Sequence, residues 1–224
     1  MELHAERLAA VAEELQSRGA QRVLDLGCGD GRLIELLLEM DCCSEILGLD
    51  ISPRALAGAR DRLARNRLTR RSAQRVTLIE GSVAEPDPRL VGFDAAAVVE
   101  VVEHLEPTEL AAFEAVLFGY AHPVAVVLTT PNIEYNARYP VLVNGTLRHP
   151  DHRFEWTRAE FQAWANGVGE RRGYRVKFTL IGPEDPALGA PTQMGIFSTS
   201  ELHGPVLNSP GTAARHDLPH PVKH

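Results

Sequence analysis

Val23-Leu24-Asp25-Leu26-Gly27-Cys28-Gly29-Asp30-Gly31 decides the fold: a short apolar run, three glycines at alternate positions, then Arg32–Met40 with the leucine spacing of a helix. Glycines so placed permit tight turns and a close backbone approach that a Cβ would obstruct. The spacing Asp-x-Gly-x-Gly-x-Gly is not the Gly-x-Gly-x-x-Gly of dinucleotide folds. Strand, glycine turn and helix open a βαβ unit. Upstream, Leu8, Val11, Ala12 and Leu15 place an amphipathic helix over 5–17, ended by Gly19.

Downstream the rhythm repeats. Strands are expected at Glu45–Asp50, Arg75–Glu80, Asp94–Glu100 and Pro123–Thr129, with helices from about Pro53 to Asn66 and from Pro107 to Phe118. The fourth strand is continuous in small apolar residues, as a strand covered on both faces should be. Such alternation predicts an α/β fold, a mostly parallel sheet between two helical layers with right-handed crossovers. After Pro131 the rhythm breaks into a loop of about 25 residues carrying Asn132, Tyr135, Asn136, Arg138, Tyr139, Arg148, His149 and His152, long enough to suggest function. Thr157 with Glu160 forms a capping box that starts a helix through Phe161, Trp164 and Ala165. Tyr174–Ile181 and Gln193–Thr199 are expected to close the sheet, as an antiparallel pair. One domain is expected over 1–199 and a flexible C-terminal tail over 200–224, where Gly, Pro, His and Ser dominate.

With 224 residues, 44% of them hydrophobic, the chain can bury one substantial core. No stretch approaches the roughly 20 apolar residues of a membrane helix, and no leader pattern opens the chain, so a cytoplasmic protein is expected. Three cysteines, Cys28, Cys42 and Cys43, lack disulfide arithmetic and zinc spacing. A net charge of −7 argues against coating nucleic acid over a long footprint and leaves room for a local contact. Arg54, Arg60, Arg62, Arg65, Arg67, Arg70, Arg71 and Arg75 form a basic run that is either such a contact or a solvated face.

Asp50 closes the second strand at the carboxyl edge of the sheet, where ligands of parallel sheets bind. There a carboxylate can accept hydrogen bonds from both hydroxyls of a ribose. Together, loop, acid and alternation resemble the seven-stranded S-adenosylmethionine-dependent methyltransferases, a Rossmann-like fold. That resemblance implies Asp25, Gly27, Gly29 and Asp50 as cofactor residues, with Ser82 and Val83 near the adenine.

Glu100, Glu103 and His104 share one face if the turn after the fourth strand is helical. Two carboxylates and an imidazole suit Mg²⁺ or Mn²⁺, the imidazole favouring manganese. The plain alternative is an acidic helix start favoured by the macrodipole. Arg148-His149-Pro150-Asp151-His152-Arg153-Phe154-Glu155-Trp156-Thr157-Arg158 brings further imidazoles to the long loop.

Glu-x-x-Glu-His with Asp-His-Arg-Phe-Glu-Trp-Thr-Arg resembles the Hen-type small-RNA 2′-O-methyltransferases over roughly 20–199. Gly-Pro-Glu-Asp-Pro at 182–186 and Pro-Thr-Gln-Met at 191–194 look most like the bacterial, RNA-repair branch. The resemblance implies Glu100, Glu103, His104 and His152 as metal ligands, with His149 in reserve, and His104 and His152 as catalytic imidazoles. The implied partner is an RNA 3′ end with free 2′- and 3′-hydroxyls, chelated by the metal. Bacterial members are commonly longer, so repair proteins would dock through an absent N-terminal half. Phe154 and Trp156 either stack a terminal base or anchor the following helix, and Arg148 and Arg153 are candidates for phosphates. The competing functions are a methyltransferase for catechol-like diols and a catalytically idle scaffold subunit.

Overall fold

Each apolar run identified in the sequence becomes a strand of one sheet. The computed structural model describes residues 2–199 except 41, 66–73, 141 and 143–145. In chain order the elements are α1 (Glu2–Ser17), β1 (Arg22–Leu26), α2 (Arg32–Glu39), β2 (Glu45–Asp50), α3 (Pro53–Arg65), β3 (Val76–Glu80), β4 (Ala95–Val99), α4 (Pro107–Glu114), β5 (Ala125–Pro131), α5 (Arg158–Arg172), β6 (Arg175–Ile181) and β7 (Thr192–Ser198). The seven strands run β3-β2-β1-β4-β5-β7-β6. β7 pairs antiparallel with both β5 and β6, and the other pairings are parallel.

Alternation along the strands splits the core into two layers. Leu24, Leu26, Val98 and Leu128 face a layer with Phe113, Phe118 and Phe161 from the α4 and α5 side. Val23, Ala97 and Val127 face the other, with Leu8, Val11 and Leu15 of α1 and Leu33 and Leu37 of α2. Strand order reverses between β1 and β4, so the loops after these two strands part there and leave a crevice at the carboxyl edge.

Local geometry departs from the expectations in three places. The helix expected over Pro107–Phe118 is α-helical only to Glu114 and continues as a π-helix over Ala115–Ala121. The wider turn puts Phe118 against Phe113, Tyr174 and Phe197, and His122 in the left-handed region closes it. The segment after Pro131 is held rather than open: Ile133–Arg138 is a 3₁₀ turn and Asn132 bridges Trp156. Within the basic run, Arg62 is spent on Asp30 and Glu35, and Arg75 donates to the carbonyls of Leu38 and Cys43. Arg54, Arg60 and Arg65 are exposed. Arg67, Arg70, Arg71 and the expected tail 200–224 lie outside the described residues. Among the described residues no helix is long and apolar enough to cross a membrane.

Candidate active site

At the end of β1 the chain turns through Gly27, Gly29 and Gly31, all at positive φ. Gly27 and Cys28 donate their amides to the carbonyl of Leu49, at 2.8 and 3.0 Å, which ties the loop to β2. Two of the glycines are needed for different reasons. A Cβ on Gly27 would stand 2.4 Å from Cγ2 of Val101, whereas one on Gly29 would meet nothing within 4 Å. Gly27 is therefore fixed by packing, and Gly29 opens into free space.

Asp50 has a second task that the sequence did not disclose. Its two carboxylate oxygens accept the amides of Gly29 and Ser52, each at 2.8 Å, so it shapes the glycine loop while one further acceptor direction stays open on each oxygen. Beside it lies a cleft of about 370 Å³ walled by Gly27, Asp50, Ser82, Val83, Glu100 and His104. Ile51 also lines it, at 73% exposure the most exposed of the large apolar side chains among the described residues. Sequence reasoning passed over Ile51, although an apolar residue directly after a strand-ending acid was a readable signal for a wall against a flat ring.

Asp25 lies below the cleft rather than in its wall. The carboxyl is buried and its Oδ2 has no hydrogen-bond partner. Burial, and then the charge of Asp50, push its pKa up to about 7. An orphaned buried carboxyl beneath the loop is suited to a cationic ligand.

The turn after β4 is not the helix that would set Glu100, Glu103 and His104 on one face. Glu100 sits at φ 55, a region that costs a non-glycine residue free energy, and only Val102–His104 form a 3₁₀ turn. The kink sends Glu100 toward Arg7 of α1, at 3.3 Å, and toward Thr129, whose hydroxyl donates at 3.0 Å. Glu103, His104 and His152 do converge: each offers a ligand atom and these lie within 4.8 Å of one another. Glu100 is outside that group and lines the adjoining cleft. His149 is exposed, with its ring 6.4 Å from that of His104 and 5.7 Å from that of His152.

The converging side chains have the polarity a cation needs. Nδ1 of His104 faces the carbonyl of Asp151 at 3.2 Å, and Nδ1 of His152 faces the Glu155 carboxylate at 2.6 Å. Both partners only accept, so each Nδ1 carries the proton and each Nε2 presents a lone pair. Glu103 is fully buried. One oxygen accepts from Thr130 at 3.2 Å and the other has no partner. Burial, and then the charge of Glu100, raise the Glu103 carboxyl well above its ordinary range, while burial and His152 lower His104. Burial raises Glu100 too, opposed by Arg7. Each shift disfavours the charged form in the absence of a counter-charge, and an oxygen with two imidazole nitrogens is a donor set that Mn²⁺ or Mg²⁺ accepts.

Around this cluster stands a shell that sequence reasoning missed. Glu155 is buried and takes His152, the amide of Arg148 at 2.6 Å and Nδ2 of Asn136 at 2.7 Å. Its signal was the Phe-Glu-Trp context, a carboxylate between two aromatic residues. Arg148 is a strut and not a phosphate contact: its guanidinium donates to Asn136 and to the carbonyls of Pro191 and Asn132. Arg153 is exposed and paired with Glu106 at 3.0 Å, and its amide holds the carbonyl of Glu103 at 2.7 Å. Trp156 stacks on Phe161 and Trp164 against the core, which favours anchoring over base stacking, and Phe154 packs on Trp156.

Comparison with known proteins identifies the fold. A family profile described as a methyltransferase domain matches residues 24–118. The chain is 38% identical over 222 residues to a small RNA 2′-O-methyltransferase of Mus musculus, covering 96% of this chain and 55% of that protein. It thus spans about half the length of the curated relatives it matches. A crystal structure of the methyltransferase domain of bacterial CtHen1-C superposes with a TM-score of 0.80 at 47% identity, covering 88% of this chain and 98% of that one. A chain of a Pnkp1/Rnl/Hen1 RNA repair complex shares the fold, with a TM-score of 0.63 at 21% identity over 88% of this chain and 42% of the other.

Proposed function

The chain belongs to the Hen1-type small-RNA 2′-O-methyltransferases, and on that footing we propose that it methylates the 2′-hydroxyl of the 3′-terminal nucleotide of RNA, using S-adenosylmethionine and a divalent ion, Mn²⁺ or Mg²⁺. One observation carries the reading: His104 belongs both to the wall of the cofactor cleft and to the Glu103–His104–His152 cluster. A donor in the cleft and an acceptor at the cluster therefore meet across a single side chain.

When bound, S-adenosylmethionine supplies an electrophilic methyl and the divalent ion supplies polarisation of the ribose hydroxyls. Glu103, His104 and His152 would hold the ion, and Glu100, which lines the adjoining cleft wall, is the fourth ligand proposed from the resemblance. The remaining residues orient. Asp50 offers its open acceptor directions to a ribose, Ser82 and Val83 wall the cleft beyond it, and Asp25 neutralises positive charge from below. With Nδ1 of His104 facing the Asp151 carbonyl and Nδ1 of His152 facing Glu155, the Nε2 atoms would be the ones to meet an ion, and His104 and His152, the imidazoles read from the sequence as catalytic, would then contribute as ligands and not as the proton acceptor.

The RNA end must offer two adjacent hydroxyls. The finer setting, repair of cleaved RNA with protein partners engaged through a further N-terminal half, belongs to the same proposal. The expected test uses labelled S-adenosylmethionine with Mn²⁺ or Mg²⁺ and RNAs ending in a 2′,3′-diol, a 2′-deoxy sugar or a 3′-phosphate. Label should enter the diol alone, and Glu103→Gln should abolish it while cofactor affinity stays within about twofold. Equal labelling of catechol, or loss of cofactor binding together with transfer, would overturn the assignment.

A further inference from the structure

A second hollow, of about 350 Å³, opens beyond the cleft between the start of α1, the 3₁₀ turn Ile133–Arg138 and the connection from β6 to β7. The chemistry above uses none of its walls. Tyr135 and Tyr139 meet there, ring centroids 6.0 Å apart and planes at 66°, with Pro183 and Pro191 beside them. Neither phenol hydroxyl has a hydrogen-bond partner among the described residues.

The hollow is linked to the metal cluster through one residue. The Arg148 guanidinium lies 5.2 Å from the Tyr139 ring centroid, and the Arg148 amide is held by the same Glu155 carboxylate that holds His152. A strand whose end reaches the cluster therefore has this aromatic wall close upstream. Charge decides which part of a nucleotide enters. The exposed Glu6 carboxylate stands at the rim and Arg138 is neutralised by Asp185, so a phosphate is repelled and a planar base is admitted. We propose that this hollow is a base subsite, in which Tyr135 stacks the base of the second or third nucleotide from the RNA 3′ end.

The inference rests on the RNA reading above, and its site tolerates any base, because stacking uses a π-face common to all four. It separates from that reading by experiment. RNAs carrying 2-aminopurine at the second or third position from the end are titrated with the protein and their fluorescence followed, alongside methyl transfer. The expected result is quenching at one of these positions, lost in Tyr135→Ala and kept in Tyr135→Phe. KM for the RNA rises about tenfold in Tyr135→Ala, with kcat and cofactor affinity within about twofold. An abasic nucleotide at the same position, with the protein unaltered, raises KM equally, and its effect does not multiply with that of Tyr135→Ala. Quenching at neither position, or two effects that multiply, overturns the subsite. Transfer without quenching sinks the hollow alone, and quenching without transfer sinks the methylation reading and keeps the hollow.

Discussion

Replacing Glu155 by glutamine tests whether the proposed metal binding at Glu103, His104 and His152 depends on the buried groups behind them. The carboxylate accepts three hydrogen bonds: Oε1 from the Arg148 amide and from Nδ1 of His152, Oε2 from Nδ2 of Asn136. A glutamine can keep its oxygen toward Arg148 and His152, and its amide then meets the Asn136 amide, donor against donor. Asn136 has no freedom to turn over, because its Oδ1 already accepts from Arg148. The variant therefore loses one hydrogen bond to a charged group and leaves buried donors unpaired, a destabilisation of about 2–3 kcal/mol. For a chain of this size that lowers the melting temperature by roughly 5–10 °C. His152 keeps an acceptor but loses a charged one, and changes to the group that orients a ligating imidazole weaken metal affinity by about 10–100-fold. Thermal unfolding gives the first quantity and calorimetric titration of Mn²⁺ the second, with S-adenosylmethionine affinity as the internal reference. A lowered melting temperature with Mn²⁺ affinity unchanged would show that Glu155 only packs, and would remove its orienting role.

The two glycines of the loop should respond differently. Gly29→Ala has room for its methyl and costs roughly 1–2 kcal/mol for its positive φ, so it should fold and lose cofactor affinity at least about tenfold. Gly27→Ala adds a collision with Val101 to the same backbone cost, so its loss should appear first in denaturant midpoint. A Gly29→Ala protein that binds S-adenosylmethionine normally would remove that glycine from the cofactor surface. Asp25 predicts a pH dependence. Its folded pKa is raised, to about 7, above the ordinary value of 3.8, so its contribution is intact below about pH 4 and is lost as pH rises through 7. Between pH 5 and 8 this group should withdraw about 3 kcal/mol from the ligand-free protein, a loss that Asp25→Asn abolishes. Urea unfolding at the two pH values decides it, and equal slopes for both proteins would refute the raised pKa.

The parts legible in the sequence were those set by neighbours along the chain. The strand periods, the helix periods apart from the π-turn after Glu114, the glycine turn and the Thr157–Glu160 capping box are local patterns, and the structure reproduces them. Asp50 was legible as an acid at a strand end, yet its grip on the Gly29 amide was not, because β1 and β2 come together only through tertiary pairing. Arg148 read as a phosphate contact because Arg in a long polar loop usually faces water. Its burial comes from Asn132, Asn136 and Pro191, which meet only where β5, the 3₁₀ turn and β7 pack together.

Glu100 shows how tertiary contacts place a residue that sequence spacing set beside Glu103 and His104, and what the departure accomplishes. Continued helical φ from Glu100 would have put its carboxylate over Glu103 and His104, three acidic or basic groups stacked on one short turn. Instead the backbone turns to φ 55, the amide of Glu100 bonds Thr129 of the neighbouring strand, and the side chain is held by Arg7. Such strain costs about 1–3 kcal/mol and persists only where surrounding contacts impose it. Its effect is to place one carboxylate on the wall of the cleft and the other, Glu103, fully buried within the cluster. The same turn thereby divides two acids that sequence spacing alone would merge, one onto the cleft wall and one into the cluster with His104 and His152, with His104 shared between the two places.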